Sequence, residues 1–320
     1  MCRPSAAAAL IKALLLLLVI PLASAGGIYR WVDADGRVHF SDRPLQQNAE
    51  AITLKHKASS WQPMAIQVTT AGSLQNRPAP LDMARIQREV NGIYRFYQQT
   101  LYFDFLRSVP VNIQLLENRA EYIRYVWDTA QWDASKTLGV YMPKTHSIVL
   151  YLHDEKTGGL ESTYATIRHE VSHAILHSLT GRLPDWLNEG MAEQMETLAW
   201  NGDAFVIRAH SRNKRGLLAR RQQAMPVLQF VELRSDHWRK SNHQHGINQE
   251  MAGQLVYMLL STDYGRSLIT RLLQDYKRGV NMRSYYLLDQ HYIGGAKALE
   301  IHWNNWLVSN MAAPAQIEMR

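Results

Sequence analysis

The chain has 320 residues, 46% of them apolar or aromatic, with 35 Lys and Arg against 28 Asp and Glu for a net charge of +7. It is long enough to bury a core without disulfides, and its one cysteine, Cys2, rules out a disulfide framework. The positive excess is spread along the chain, with no dense Lys/Arg block interleaved with aromatics, which sets nucleic acid aside as a partner.

At the start, Arg3 and Lys12 precede an apolar run, Ala13 to Ile20, and Ala23-Ser24-Ala25 makes a small-residue cleavage site. This is the pattern of a secretory signal peptide over residues 1–25, cut after Ala25. An uncleaved anchor is the alternative, but the run after Lys12 falls short of the roughly 20 residues that a span requires. No later stretch is long and apolar enough to cross a membrane. The expected location is the periplasm or the cell exterior. Cleavage would remove Cys2, which lies at the wrong end of the signal for lipid attachment, and the charges of Arg3 and Lys12. The mild positive excess that remains suits anionic envelope surfaces or acidic substrates.

Residues 26–54 read as a small β domain. Ile28 to Val32 and Arg37 to Phe40 are aromatic and β-branched runs around the turn Asp33-Ala34-Asp35-Gly36, and Ser41-Asp42-Arg43-Pro44 closes the hairpin. The stretch resembles a small domain of uncharacterised function at the front of many bacterial envelope proteins, with the pattern Y-x-W-x-D-x-x-G-x-x-x-(Y/F)-S-D-x-P. That resemblance implies export but no chemistry. Residues 55–80 are rich in Ser, Thr, Gly and Pro and read as a linker with a short strand at Ala65 to Val68.

Residues 81–200 form the next block. Met83, Ile86, Val90, Ile93, Tyr94 and Tyr97 recur at helical spacing, predicting a helix from Leu81 to about Leu106 with Asp82 near its start. A strand at Val111 to Leu116, a short helix at Arg119 to Trp127, and a hairpin from Val140 to Leu152 around Pro143 to His146 follow. Ser147 to Leu152 is the candidate edge strand along a cleft, where an extended peptide can add as a further strand; an interior strand is the alternative. His146 and His153 flank it.

The next helix spans Tyr164 to Leu179, with Ser162 or Thr163 placed to cap it and Gly181 to stop it. It carries His169-Glu170-Val171-Ser172-His173, an H-E-x-x-H sequence. Residues i and i+4 of a helix share a face roughly 5–6 Å apart at Cβ, so the two imidazoles can each offer a nitrogen to one Zn²⁺. Glu170 points beside that pair and can take a proton from a water without being a ligand. A catalytic zinc needs a third protein ligand and an open position. Leu176 and Leu179 stand where a metzincin has Gly and His, excluding that class, and His177 lies on the same straight helix, which diverges around a shared ion.

Downstream, Leu183 to Glu193 reads as a helix with Pro184 at its first turn, Glu189 and Glu193 on one face, and Gly190 permitting close approach to the preceding helix. Here the sequence resembles the gluzincin metallopeptidases, and its W-L-N-E-G-x-A-E form resembles their peptidase MA-like branch. The resemblance implies that His169, His173 and Glu189 bind zinc, that Glu170 is the base, and that Glu193 holds a ligand histidine by its other nitrogen. It also implies an α+β fold, a zincin-like catalytic domain with a small mixed sheet above the H-E-x-x-H helix.

Residues 201–320 are expected to be a mostly helical lobe. Phe205 to Ile207 reads as a short strand, Arg212 to Arg221 as a solvated basic helix face and Asp236 to Gly246 as a mobile loop. Helical spacing recurs over Met251 to Leu260, Tyr264 to Tyr276, Arg283 to Leu288 and Ala296 to Leu307. In the resembling family a Tyr opens this lobe and serves the oxyanion. Asn248-Gln249-Glu250 lacks it, leaving His245 and Tyr257 as substitute donors. The expected activity is zinc-dependent hydrolysis of a peptide or protein. A non-catalytic zincin-like envelope scaffold and a hydrolase of cell-wall peptide cross-links are the alternatives.

Overall fold

The computed structural model describes residues 28–33, 36, 38–41, 44, 46–52, 65–102, 109–245, 247–311 and 314–319, without the side chains of residues 28, 40, 52 and 242–245. The expected signal peptide, the tip of the first hairpin turn, the expected linker before residue 65 and the end of the helix predicted to reach Leu106 lie outside these residues. Among the described residues no helix is long and apolar enough to cross a membrane. The chain divides into two compact units, residues 1–61 and 62–320.

The first unit is a three-stranded antiparallel sheet. β1 (Ile28–Val32) is central, with β2 (Val38–Ser41) on one side and β3 (Glu50–Ile52) on the other. The expected hairpin is β1–β2, with Trp31 opposite His39; β3 carries no sequence signal strong enough to announce itself. Trp31 stacks on His39 at 5.2 Å, and Asp33 accepts the His39 Nε2 bond at 2.7 Å.

The second unit is α+β. It begins with β4 (Ile66–Thr70), which lies in the stretch read as linker and pairs in parallel with β5 (Val111–Leu116). Between them runs α1 (Met83–Arg95), capped by the Asp82 carboxylate and continued by a wide turn to Thr100. After β5 come α2 (Arg119–Ala130), β6 (Gly139–Met142) and β7 (Ser147–Tyr151). The sheet order is β4-β5-β7-β6, parallel except for β6. The sheet's edges are therefore β4 and β6, and β7 is interior, the alternative reading of Ser147 to Leu152 rather than the edge one. Its two-sided burial explains the unbroken apolar run Ile148 to Leu150, the mark of a strand covered on both faces. Ile148 and Leu150 enter the main core, while Val149 and Tyr151 pack with Tyr122 and Val126 of α2 on the other face.

Across the main core lies α3 (Gly159–Thr180), which starts earlier than its expected Ser/Thr cap and stops at Gly181, where φ is 70°. Next come α4 (Asp185–Met195), entered from Pro184, and the hairpin of β8 (Ala199–Trp200) and β9 (Phe205–Arg208). More helices follow: α5 (Ser211–Arg220), then past the single turn α6 (Val227–Phe230), α7 (Ser235–His245), α8 (Asn248–Leu260), α9 (Asp263–Lys277) and α10 (Ser284–His291). α11 (Gly295–Val308) and β10 (Gln316–Met319) complete the unit. The segment expected as a mobile loop is α7: its polar composition marks a solvated helix face rather than a break. α8 is buried almost throughout and packs on α4. Gly190 serves that contact rather than an approach to α3: a Cβ there would lie 2.4 Å from Val256 and 2.7 Å from the Ala252 carbonyl. β10 pairs with β9 from Ile317↔Ile207 outward, over a hundred residues apart.

Candidate metal centre

Helical repeat puts His169 and His173 one turn apart on α3, their rings 4.9 Å apart and nearly perpendicular. α4 packs against α3 and delivers Glu189 between them. Its Oε2 lies 3.5 Å from His169 Nε2 and its Oε1 3.7 Å from His173 Nε2. The donor atoms of these three residues lie within 4.8 Å of one another. Two ligand atoms each about 2.0–2.1 Å from a tetrahedral zinc stand roughly 3.3–3.4 Å apart, so this spacing fits one zinc ion with little adjustment. The donor set, two imidazoles and a carboxylate, is also one that catalytic zinc uses. Gln249 on α8 donates to Glu189 Oε2 at 2.7 Å and fixes the carboxylate's orientation.

Glu170 is 6% exposed and lies on the sheet side of the group. Burial raises its pKa above the ordinary carboxylate range, against the pull of His173 and His169, and the Tyr141 backbone amide bonds to it. The start of β6 comes close here: a Cβ on Gly139 would lie 2.7 Å from Thr166 Cγ2 and 3.2 Å from Glu170 Cγ.

Behind the imidazoles, on the side away from Glu189, lies a second layer. His169 Nδ1 is 2.9 Å from Glu196 Oε1, and Glu196 Oε2 is 2.9 Å from His210 Nε2. Glu193, expected to hold a ligand histidine, does not take that bond. Its Oε2 accepts from Asn213 at 2.7 Å, and Arg212 reaches it at 3.4 Å. One residue past the end of α4, Glu196 is turned to the face that meets α3. Burial alone would push the His169 imidazolium down, yet its bonds to Glu189 and Glu196 hold its pKa well above the usual range. Glu189, despite burial, is lowered to about 2 by His173 and His169. The His169 ring thus stands where the carboxylates favour positive charge.

The other sequence candidates lie elsewhere. Tyr257 on α8 is buried and its hydroxyl donates to the Pro314 carbonyl at 2.7 Å, so it is spent on the fold and not aimed at the imidazoles. The His245 side chain lies outside the described residues. His177 packs beside Tyr141 and His146, whose Nδ1 is 3.1 Å from the Tyr141 hydroxyl. His153 is buried against Tyr151 at the end of β7. Glu196, His210, Arg212, Asn213 and Gln249 are the site residues that the sequence reading missed. For Glu196 a signal existed: Glu189, Glu193 and Glu196 stand at i, i+4 and i+7 on one helical face. The others arrive through tertiary contacts that leave no local pattern.

Residues 15–67 match the family model described as "Domain of unknown function (DUF4124)". The front of the chain is this domain. The match takes in the three-stranded sheet and ends at the start of β4; the centre on α3 and α4 lies outside it. A comparison with curated proteins finds no match.

Proposed function

We propose that this chain is an exported zinc metallopeptidase of gluzincin type, with a zincin-like catalytic domain behind its DUF4124 domain. The observation that carries the reading is the convergence of His169 Nε2, His173 Nε2 and the Glu189 carboxylate at 3.5–3.7 Å, contributed by two consecutive helices. His169, His173 and Glu189 would hold the zinc. The ion would supply Lewis acidity, polarising a scissile carbonyl and bringing a water's pKa to about 7.

The protein's own groups do the rest. Glu170, buried and with a raised pKa, takes the proton of the attacking water and returns it to the leaving amine. Gln249 keeps Glu189 from rotating away. β6 presents one free edge of the sheet beside Glu170, where an extended peptide backbone can pair. The N-terminal signal pattern supports export to the periplasm or beyond.

The engagement of Tyr257 with Pro314 favours one rival, a non-catalytic zincin-like scaffold, because it removes an expected oxyanion donor. Glu170→Gln separates the two. Under the peptidase reading the variant binds one zinc per chain and loses at least about 100-fold in peptide hydrolysis, the usual worth of a general base. Undiminished turnover in the metal-loaded variant would refute the mechanism. A wild-type protein that binds zinc but cleaves no member of a peptide library would favour the scaffold.

A further inference from the structure

We propose that Glu196 and His210 form a positioning relay that fixes the tautomer and aim of His169, so that metal affinity is set partly from the junction of β9 and α5. The inference rests on the zinc reading above and names residues which that reading does not use.

A carboxylate only accepts hydrogen bonds. Glu196 Oε1, 2.9 Å from His169 Nδ1, therefore keeps a proton on that nitrogen, so that the proton given up to a metal is the one on Nε2, the atom 3.5 Å from Glu189. Glu196 is itself held from several directions. Arg168, the residue before His169, donates to the Glu196 backbone carbonyl through Nε and Nη2 at 3.1 and 2.6 Å. Two neighbouring residues of α3 thus grip one residue, by its main chain and by its carboxylate. His210 Nε2 takes the remaining oxygen at 2.9 Å.

His210 is delivered there by the hairpin. The Thr197 hydroxyl donates to the Arg208 carbonyl at 3.1 Å and accepts from the Arg208 amide at 3.2 Å, clamping the end of β9 beside the residue that follows Glu196. Two residues on, His210 faces the carboxylate, and its Nδ1 is buried with no partner among the described residues. Glu193 cannot substitute: it stands 3.9 Å from His210, and Asn213 occupies the nearer oxygen.

The test is zinc affinity of the full chain, measured by competition with a chromophoric chelator, together with the d–d absorption of the cobalt-substituted protein. Glu196→Ala is expected to weaken zinc binding about 10–100-fold, and His210→Ala about threefold or more in the same direction. The double variant should be no weaker than Glu196→Ala, because His210 acts through Glu196. Cobalt bands should shift in both single variants and stay in place in His177→Gln, a histidine of the same helix outside the group. Thermal unfolding without metal identifies any misfolded variant; should Glu196→Ala fail to fold, His210→Ala carries the test. Wild-type affinity and wild-type bands in a folded His210→Ala would overturn the relay, as would additive losses in the double variant. A wild-type chain that binds no zinc would overturn the metal reading itself, whatever the variants do.

Discussion

His169 uses both ring nitrogens, one toward Glu189 and one toward Glu196, and the carboxylates hold it protonated to a higher pH than an unfolded histidine. In the metal-free protein its contribution to stability is therefore complete below about 6.5 and disappears as pH rises through the raised value. Glu189 works the other way. Lowered from 4.5 to about 2, it contributes fully above 4.5 and is lost as pH falls toward 2. A zinc ion must displace the His169 proton, so affinity should weaken as pH falls below that raised value, by up to about tenfold per unit, with one proton released per ion. Chelator competition across that fall in pH measures it; a flat profile would mean that no proton is displaced. The nearness of His169, His173 and Glu189 was legible in the sequence because an i, i+4 pair is fixed by helix geometry and the next helix follows after a four-residue turn. Glu196 was legible only as a third member of an acidic face. His210 and Gln249 were not legible, since what brings them in is a hairpin and a buried helix whose placement depends on the whole core.

At the scale of elements, α4 is the piece that two neighbours compete to position. One face carries Glu189 to α3; the other carries Gly190 against α8 so closely that a methyl group meets the Ala252 carbonyl, which cannot step aside. Gly190→Ala is expected to cost about 1–3 kcal/mol, the usual range for overpacking, and to move Glu189 relative to the imidazoles. Urea unfolding of the metal-free protein reads the first effect and zinc affinity the second. A variant as stable as wild type would place slack between the helices that the contact distances do not contain. The amphipathic helices were legible from period alone. α7 was misread as a loop because its residues are polar, although polarity excludes burial and not helicity. Whether β7 is an edge or an interior strand stays open in the sequence because its parallel partner β5 lies beyond a helix, and such pairing leaves no local mark.

For the molecule as a whole, the boundary between units matters more than composition suggested. Residues 55–80 look like a linker with a short strand at Ala65 to Val68; that strand is present, runs over Ile66–Thr70 and is the outer strand of the sheet beside β5. Low-hydrophobicity sequence can still form a strand when one partner supplies every bond. A chain starting at residue 62 should unfold at the temperature of the longer protein's second unit. One starting at residue 81 strips β5 of its neighbour and should melt about 5 °C lower or more, or aggregate through the bared edge. Differential scanning calorimetry of the two fragments decides, and equal melting temperatures would make β4 dispensable. The pairing of β10 with β9 bears on timing. Synthesis is vectorial, so a ribosome-bound chain that already holds both imidazoles and Glu189 still lacks the strand that braces the segment leading to His210. Closing a loop of that length is slow, and the nascent polypeptide should emerge unready to hold the proposed cation firmly until β10 docks.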